Sequence, residues 1–341
     1  MSVIAWLKPA VGLLPVLVFL LTLVYLDSYK LTKLRTVLAV VASGGLMAVA
    51  AYFCNARLIA FLQIDYETYS HWVGPVVEEC LKALIMLYLI QTHRIGFLVD
   101  AAILGFAVGA GFAVVENLYY LEMTPTAGLG LWLIRGFGTT FMHGAVAAIF
   151  GVVVLTLTGR SQRLTPTFLL PGLIAAITIH AVFNHFYVSP IISTAGTILV
   201  LPLLLYEVFQ RSEKLVGNWL GTGFDADAEL LELLNSGDLS GSPLGTYLHT
   251  LKDKFKGLVV ADILCFVRLH TELALRAKGL LMMRESGFDV PVDEETREKF
   301  AEMQYLERSI GKTGLRAIQP MLHMSRQDLW QLYMLENEED R

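Results

Sequence analysis

The chain has 341 residues, of which 55 % are hydrophobic and 17 % charged; soluble domains average roughly 25 % charged, so an ordinary soluble globule is excluded. With 26 Lys and Arg against 31 Asp and Glu the net charge is −5, and no nucleic-acid partner is expected. Cys54, Cys80 and Cys265 are odd in number, widely spaced and lack a CxxC, which excludes a disulfide framework and a zinc knuckle.

The hydrophobic residues gather in runs long enough, at about 20 residues, to cross roughly 30 Å of hydrocarbon. The first run, 3–26, contains Lys8, Pro9 and Pro15. It is too long for a signal h-region and has no small-x-small cleavage site, so it reads as a retained span. Further spans are predicted near 34–54, 72–90, 97–121, 131–157, 168–188 and 191–209. Between the second and third, Leu58, Ile59, Phe61, Leu62 and Ile64 stand beside Asp65 and Glu67. That segment, 55–71, reads as a short interfacial helix or a plain connector. The loops test the count. Lys30, Lys33, Arg35, Arg94, Arg160, Arg163, Arg211 and Lys214 fall on one side; Lys8, Arg57 and Arg135 fall on the other. The positive-inside rule then puts the N-terminus outside and the C-terminus in the cytoplasm, which an odd number of spans requires.

From about residue 212 the composition changes. Residues 212–341 hold 15 of the 26 basic and 22 of the 31 acidic residues, a net −7 against +2 for the rest. Apolar residues recur there near helical period, interrupted by a loop at 235–243. The expected fold is all-α: a polytopic membrane domain of about seven transmembrane helices over 1–211, and a soluble, acidic, helical cytoplasmic domain over 212–341. His249, His270 and His323 in the second domain read as surface or packing residues. The acidic end, ENEEDR, reads as solvated.

The membrane domain carries groups in the wrong solvent. A charge in mid-membrane costs at least about 2.5–3.5 kcal/mol on insertion scales. Nevertheless span three contains Glu78, Glu79 and Lys82, and span four contains Glu116 with Asn117. Span five contains His143; span six contains His180, Asn184 and His185. Lys82 lies four residues after Glu78 and three after Glu79, so it reaches either along one helix face. Adjacent carboxylates diverge by about 100°, so one should face a cavity and the other be held by Lys82 or a neighbouring helix. His180 and Asn184 are one turn apart. Counted from the span ends at about 1.5 Å per residue, these groups share the outer half of the membrane. Span four is rich in small residues, including Gly105, Gly109 and Gly111, which lets neighbouring helices approach closely and places it centrally. Asp100 and Arg135, near span ends, read as capping or snorkelling groups, and His185 as an interfacial anchor.

Carboxylate and imidazole in a hydrated membrane cavity suit peptide hydrolysis, with glutamate as base and an asparagine amide as oxyanion donor. Alternatively Glu and His ligands hold zinc, which lowers the pKa of bound water to about 7. HExxH is absent, and no Ser-His or Cys-His spacing is seen.

At these residues the sequence resembles the PrsW family of intramembrane proteases, distant relatives of the CAAX prenyl proteases. The family's EExxK is matched by Glu78, Glu79 and Lys82 in EECLK, and its FxxxE by Phe112 and Glu116 in FAVVE. Its histidines in two later spans are matched by His143 in MHGAVA and by His180, with Asn184, in HAVFN. The resemblance covers about residues 1–210. It implies an intramembrane endopeptidase that cuts a membrane-anchored protein near the extracytoplasmic side of a bacterial membrane, such as an anti-sigma factor or similar regulator. The family is described both as metallo- and as glutamate-dependent.

The expected site is therefore Glu78 or Glu79 as base, with Glu79 preferred. Lys82 tunes that pair through its charge, and Asn184 serves the oxyanion. Glu116, His143 and His180 hold a metal, zinc, or polarise the carbonyl. Two other readings are an ion-coupled transporter or channel relaying protons through the same carboxylates, and a non-catalytic scaffold. No internal repeat of the transporter kind is evident.

Overall fold

A computed structural model describes residues 3–159, 164–239, 241–288, 290–319, 322 and 326–336. Arg160, Arg163, His323 and the acidic end after Glu336 lie outside them. The described residues form eleven helices and no strand. They divide into two compact units, Met1–Glu213 and Lys214–Arg341.

The first unit contains α1 (Val3–Leu26), α2 (Leu34–Leu62), α3 (Gly74–Gln91), α4 (Leu98–Met123), α5 (Leu129–Thr158), α6 (Pro166–Asn184) and the first part of α7 (Pro190–Ser236). Six of these, all but α3, are long and apolar enough to cross a membrane. The predicted third span, α3, fails that test because its 18 residues include Glu78, Glu79 and Lys82. Glu79 and Lys82 are nevertheless buried.

The ends differ from expectation at two helices. α2 runs to Leu62, because nothing after Cys54 breaks a helix until Gln63 takes a left-handed conformation (φ 54°) and closes onto the Ile59 carbonyl at 3.0 Å. The first half of the segment predicted as an interfacial helix or connector is thus the last turns of α2, followed by a turn at Tyr66–Thr68 capped by Asp65 and a π-helical turn at Tyr69–Val73. α7 continues through the predicted domain boundary to Ser236, since 210–236 contains no proline and keeps helical periodicity.

α4 is the central helix. In its most apolar stretch 83 % of residues are buried, against 22 % in α1. The small residues explain this: a Cβ on Gly109 would overlap the His143 carbonyl of α5, and one on Gly111 would overlap the Val41 carbonyl of α2. Only glycine lets both neighbours approach so closely. Polar ties mark opposite ends of the bundle. At one end Lys8 Nζ donates to the Pro125 carbonyl at 2.8 Å, joining the start of α1 to the loop after α4. At the other, Asp100 accepts from the Gly96 and Phe97 amides at 3.0 Å and lies 3.4 Å from the Thr32 hydroxyl, while Ser212 Oγ accepts from Val99 N–H. Asp100 thus caps α4, as expected, but buried rather than snorkelling.

The second unit contains the rest of α7, α8 (Pro243–Lys252), α9 (Gly257–Glu285), α10 (Glu294–Ile318) and α11 (Arg326–Glu336). α9 is its core, burying Ile263, Phe266, Val267, Leu273 and Leu281. Lys278 of α9 pairs with Asp227 of α7 at 2.5 Å beneath the Trp219 ring. His249 is exposed, and His270 is buried against Phe266, so both are surface or packing residues as expected. Burial pushes the His270 imidazole down from 6.5 to about 4. The folded unit therefore keeps it neutral, while the unfolded chain protonates it near pH 6.5. Between those values the unfolded state binds more protons, so stability falls as pH drops from about 6.5 towards 4, by on the order of 3 kcal/mol in all. Denaturant midpoints of the full-length protein at pH 7 and 4.5 should show this loss, and His270→Leu should flatten it; an unchanged pH slope in that variant would refute the assignment.

Candidate active site

Four helices bring their ionisable groups to one place. On α3, Glu78 and Glu79 diverge as adjacent helical residues must. Glu79 is 2 % exposed and turns inward, whereas Glu78 is 17 % exposed and lines a cavity of about 250 Å³. Lys82, one turn on, donates to Glu79 Oε1 at 2.6 Å and to His143 Nδ1 at 2.9 Å. Glu79 Oε1 also accepts from His180 Nδ1 of α6 at 2.7 Å. On α4, Glu116 is 24 % exposed and stands 3.0 Å from His143 Nε2. The two imidazoles meet edge to face, 4.8 Å between centroids, and His143 lies 5.2 Å from the ring of Phe112 in the FAVVE segment.

The chemistry of the donors fixes several protons. An ammonium has no lone pair, so His143 Nδ1 accepts from Lys82 and the ring carries its proton on Nε2, where it donates to Glu116. His180 donates through Nδ1 to Glu79, which leaves Nε2 with a lone pair, 3.9 Å from Glu78 Oε2. Glu79 is thus the carboxylate partner that sets the tautomer of His180, an arrangement typical of metal-ligating histidines.

Glu78, His143 and His180 each offer one ligand atom, all within 4.8 Å of one another. Two imidazoles and a carboxylate match the donor set of catalytic zinc sites with an open position, so these residues fit a metal. Ligation through His143 Nε2 requires a lone pair there, so the ring proton would move to Nδ1, where Lys82 faces it as a neutral amine or turns away, and the contact with Glu116 would be given up.

The cluster contains more than was expected from sequence. Arg135, read there as a capping or snorkelling residue, points inward: its guanidinium lies 3.3 Å from Glu116 Oε1, and its Nε donates to Asn117 Oδ1 at 2.8 Å. The signal for it was charge balance, since three carboxylates and one lysine in a single low-dielectric layer need another cation. Asn55 was placed beyond the second span; because α2 continues, its amide reaches Glu78 Oε1 at 3.3 Å, and Tyr69 donates to its Oδ1 at 2.8 Å. No spacing rule could have found that contact. Asn184 lines the cavity and donates to the Ser70 carbonyl at 3.0 Å. His185 stacks with His71 and Tyr187 at the rim, where Trp72 and Tyr187 are exposed.

The expected metal set was Glu116, His143 and His180 with Glu79 as preferred base. In the structure Glu78 groups with the two histidines within 4.8 Å, Glu116 stands 3.0 Å from His143, and Glu79 is engaged by Lys82 and His180 while Glu78 faces the cavity.

An apolar helical bundle enclosing a carboxylate–imidazole cavity defines a polytopic membrane protein with a cluster of ionisable side chains that could hold a metal. The sequence profile of the family described as PrsW family intramembrane metalloprotease matches residues 32–207, just over half of the chain, and the protein belongs to that family. It is accordingly an integral membrane protein of a protease family. Among curated proteins the chain is 30 % identical over 165 residues to a probable potassium transport system protein Kup of Pseudomonas syringae pv. tomato, covering 46 % of this chain and 22 % of that protein. It is 28 % identical over 200 residues to the Kup protein of Pseudomonas fluorescens, covering 54 % and 27 %. The chain thus spans about a quarter of the length of the curated relatives it matches. No solved structure matches.

Proposed function

We propose that this protein is an intramembrane endopeptidase that hydrolyses a peptide bond of a membrane-anchored protein at the Glu78–His143–His180 centre. The observation that carries this reading is the convergence of those three side chains on a 250 Å³ cavity inside the membrane-spanning unit. Glu78, His143 and His180 would hold zinc, which when bound acidifies a water molecule and polarises a carbonyl. Glu116, beside His143 and open to the cavity, is the general base: it takes the proton of the attacking water and returns it to the leaving amine as the C–N bond breaks. Glu79 and Lys82 hold the His180 and His143 rings in place. The Asn184 amide uses one N–H on Ser70 and keeps a second for the oxygen of the scissile carbonyl.

The loop charges orient the protein with its N-terminus outside and residues 214–341 in the cytoplasm. The ion pair of Arg135 with Glu116 sharpens the asymmetry, since Arg135 no longer counts as a free loop charge. The site then lies towards the extracytoplasmic face of a bacterial plasma membrane. The natural substrate would be a single-span regulator of the anti-sigma type, cut near that face.

Ion-coupled transport is the second reading, and the partial similarity to proteins named as potassium transport systems favours it. One set of experiments separates the two. Purified protein should contain zinc, and should cleave a membrane-anchored test protein in proteoliposomes in a chelator-sensitive way. Glu116-dependent potassium uptake without cleavage would overturn the peptidase reading.

A further inference from the structure

We propose that Arg135 is a positioning residue for the reaction, holding Glu116 in the orientation that it needs as a base; this rests on the peptidase reading above. The observations are geometric. Arg135 opens a π-helical turn, Arg135–Thr139, inside α5, and such turns inside helices are frequent at functional sites. The turn delivers a cation sideways into the carboxylate layer instead of along the helix ridge. There the guanidinium is fixed on three sides. Asn117 accepts from Nε, Tyr120 lies beneath its plane with 3.9 Å from Cζ to the ring centroid, and Glu116 Oε1 forms an ion pair with the outer nitrogen at 3.3 Å. Asn117 is itself fully buried and anchored by donating to the Gly12 carbonyl of α1 at 2.7 Å.

Glu116 thus faces Arg135 at Oε1 and His143 at Oε2; once His143 Nε2 is given to a metal, Arg135 is the partner that remains and Oε2 is freed for water. A carboxylate held this way cannot rotate away from the cavity, and its charge is balanced without being quenched. Arg135 makes no contact with the three residues that would hold a metal, so its effect should pass through Glu116 alone. A bidentate-capable, stacking cation is required there; lysine offers the charge but neither the fork nor the ring contact.

The test measures kcat, KM and zinc content for Arg135→Gln, Arg135→Lys, Glu116→Gln and the Arg135→Gln/Glu116→Gln double variant on a membrane-anchored substrate. Arg135→Gln should lose about 10–100-fold in kcat, the usual effect of removing an orienting partner. KM and zinc content should stay within about threefold of wild type, because neither substrate binding nor ligation is touched. Arg135→Lys should regain part of the lost kcat. The double variant should be no slower than Glu116→Gln, since residues acting as one unit are not additive. Losses that multiply in the double variant, or an Arg135→Gln kcat equal to wild type, would overturn the inference alone. A wild-type protein that cleaves nothing would overturn the peptidase reading and this inference with it.

Discussion

Glu116→Gln should lower peptide cleavage by about 10²–10⁴-fold, the usual contribution of a general base, while leaving zinc content unchanged. Glu78→Gln and His180→Ala should abolish cleavage by a different route, with zinc lost in parallel. The contrast follows from position. Glu78 and His180 belong to the group of three that would hold a metal, whereas Glu116 touches only one member of it, His143, and otherwise faces Arg135 and the cavity. Side-by-side metal analysis and cleavage assays on the same preparations read both quantities. Full activity in Glu116→Gln would remove it from the chemistry. Zinc lost from Glu116→Gln but retained by Glu78→Gln would restore the ligand set expected from sequence.

Lys82→Met should destabilise the membrane unit by about 3–5 kcal/mol, the effect of breaking a buried ion pair from one side. Lys82 is 1 % exposed and Glu79 2 %, so removal of the ammonium leaves a carboxylate in a dry layer with only His180 as donor. His143 Nδ1 loses its donor as well. Adding Glu79→Gln removes the stranded charge, and the double variant should recover most of the lost stability. Cleavage should not recover with it. The amide is a weaker partner for His180 Nδ1, and weakening such a partner costs about 10–100-fold in metal affinity or activity. Unfolding in detergent, followed together with cleavage, separates the two effects. A Lys82→Met variant as stable as wild type would mean that the pair contributes nothing to the fold.

Much of this site was legible because membrane solvent is unforgiving. Glu78, Glu79, Lys82, Glu116, His143 and His180 stand out in a sequence where an isolated charge is costly, and helical spacing alone pairs Lys82 with a carboxylate. That one of the two adjacent glutamates must face away from the other also follows from 100° per residue, and the structure has Glu79 held and Glu78 in the cavity. The role of Arg135 was not legible. Its place near a predicted span end suits snorkelling equally well, and only the π-helical turn sends it inward. Asn55 was missed because a helix end was drawn where hydrophobicity falls rather than where the backbone stops, at Gln63.

Alone, the sequence determined the all-helical membrane class, the order and approximate number of the apolar helices, and which ionisable residues are costly enough to need a purpose. These are one-dimensional properties, governed by hydrocarbon thickness and helical period. Only the tertiary structure decided which carboxylate joins the histidines, which one orients them, and which cation balances Glu116. Those outcomes depend on contacts between α2, α3, α4, α5 and α6 over a few ångströms, and no spacing along the chain encodes the distance between two helices.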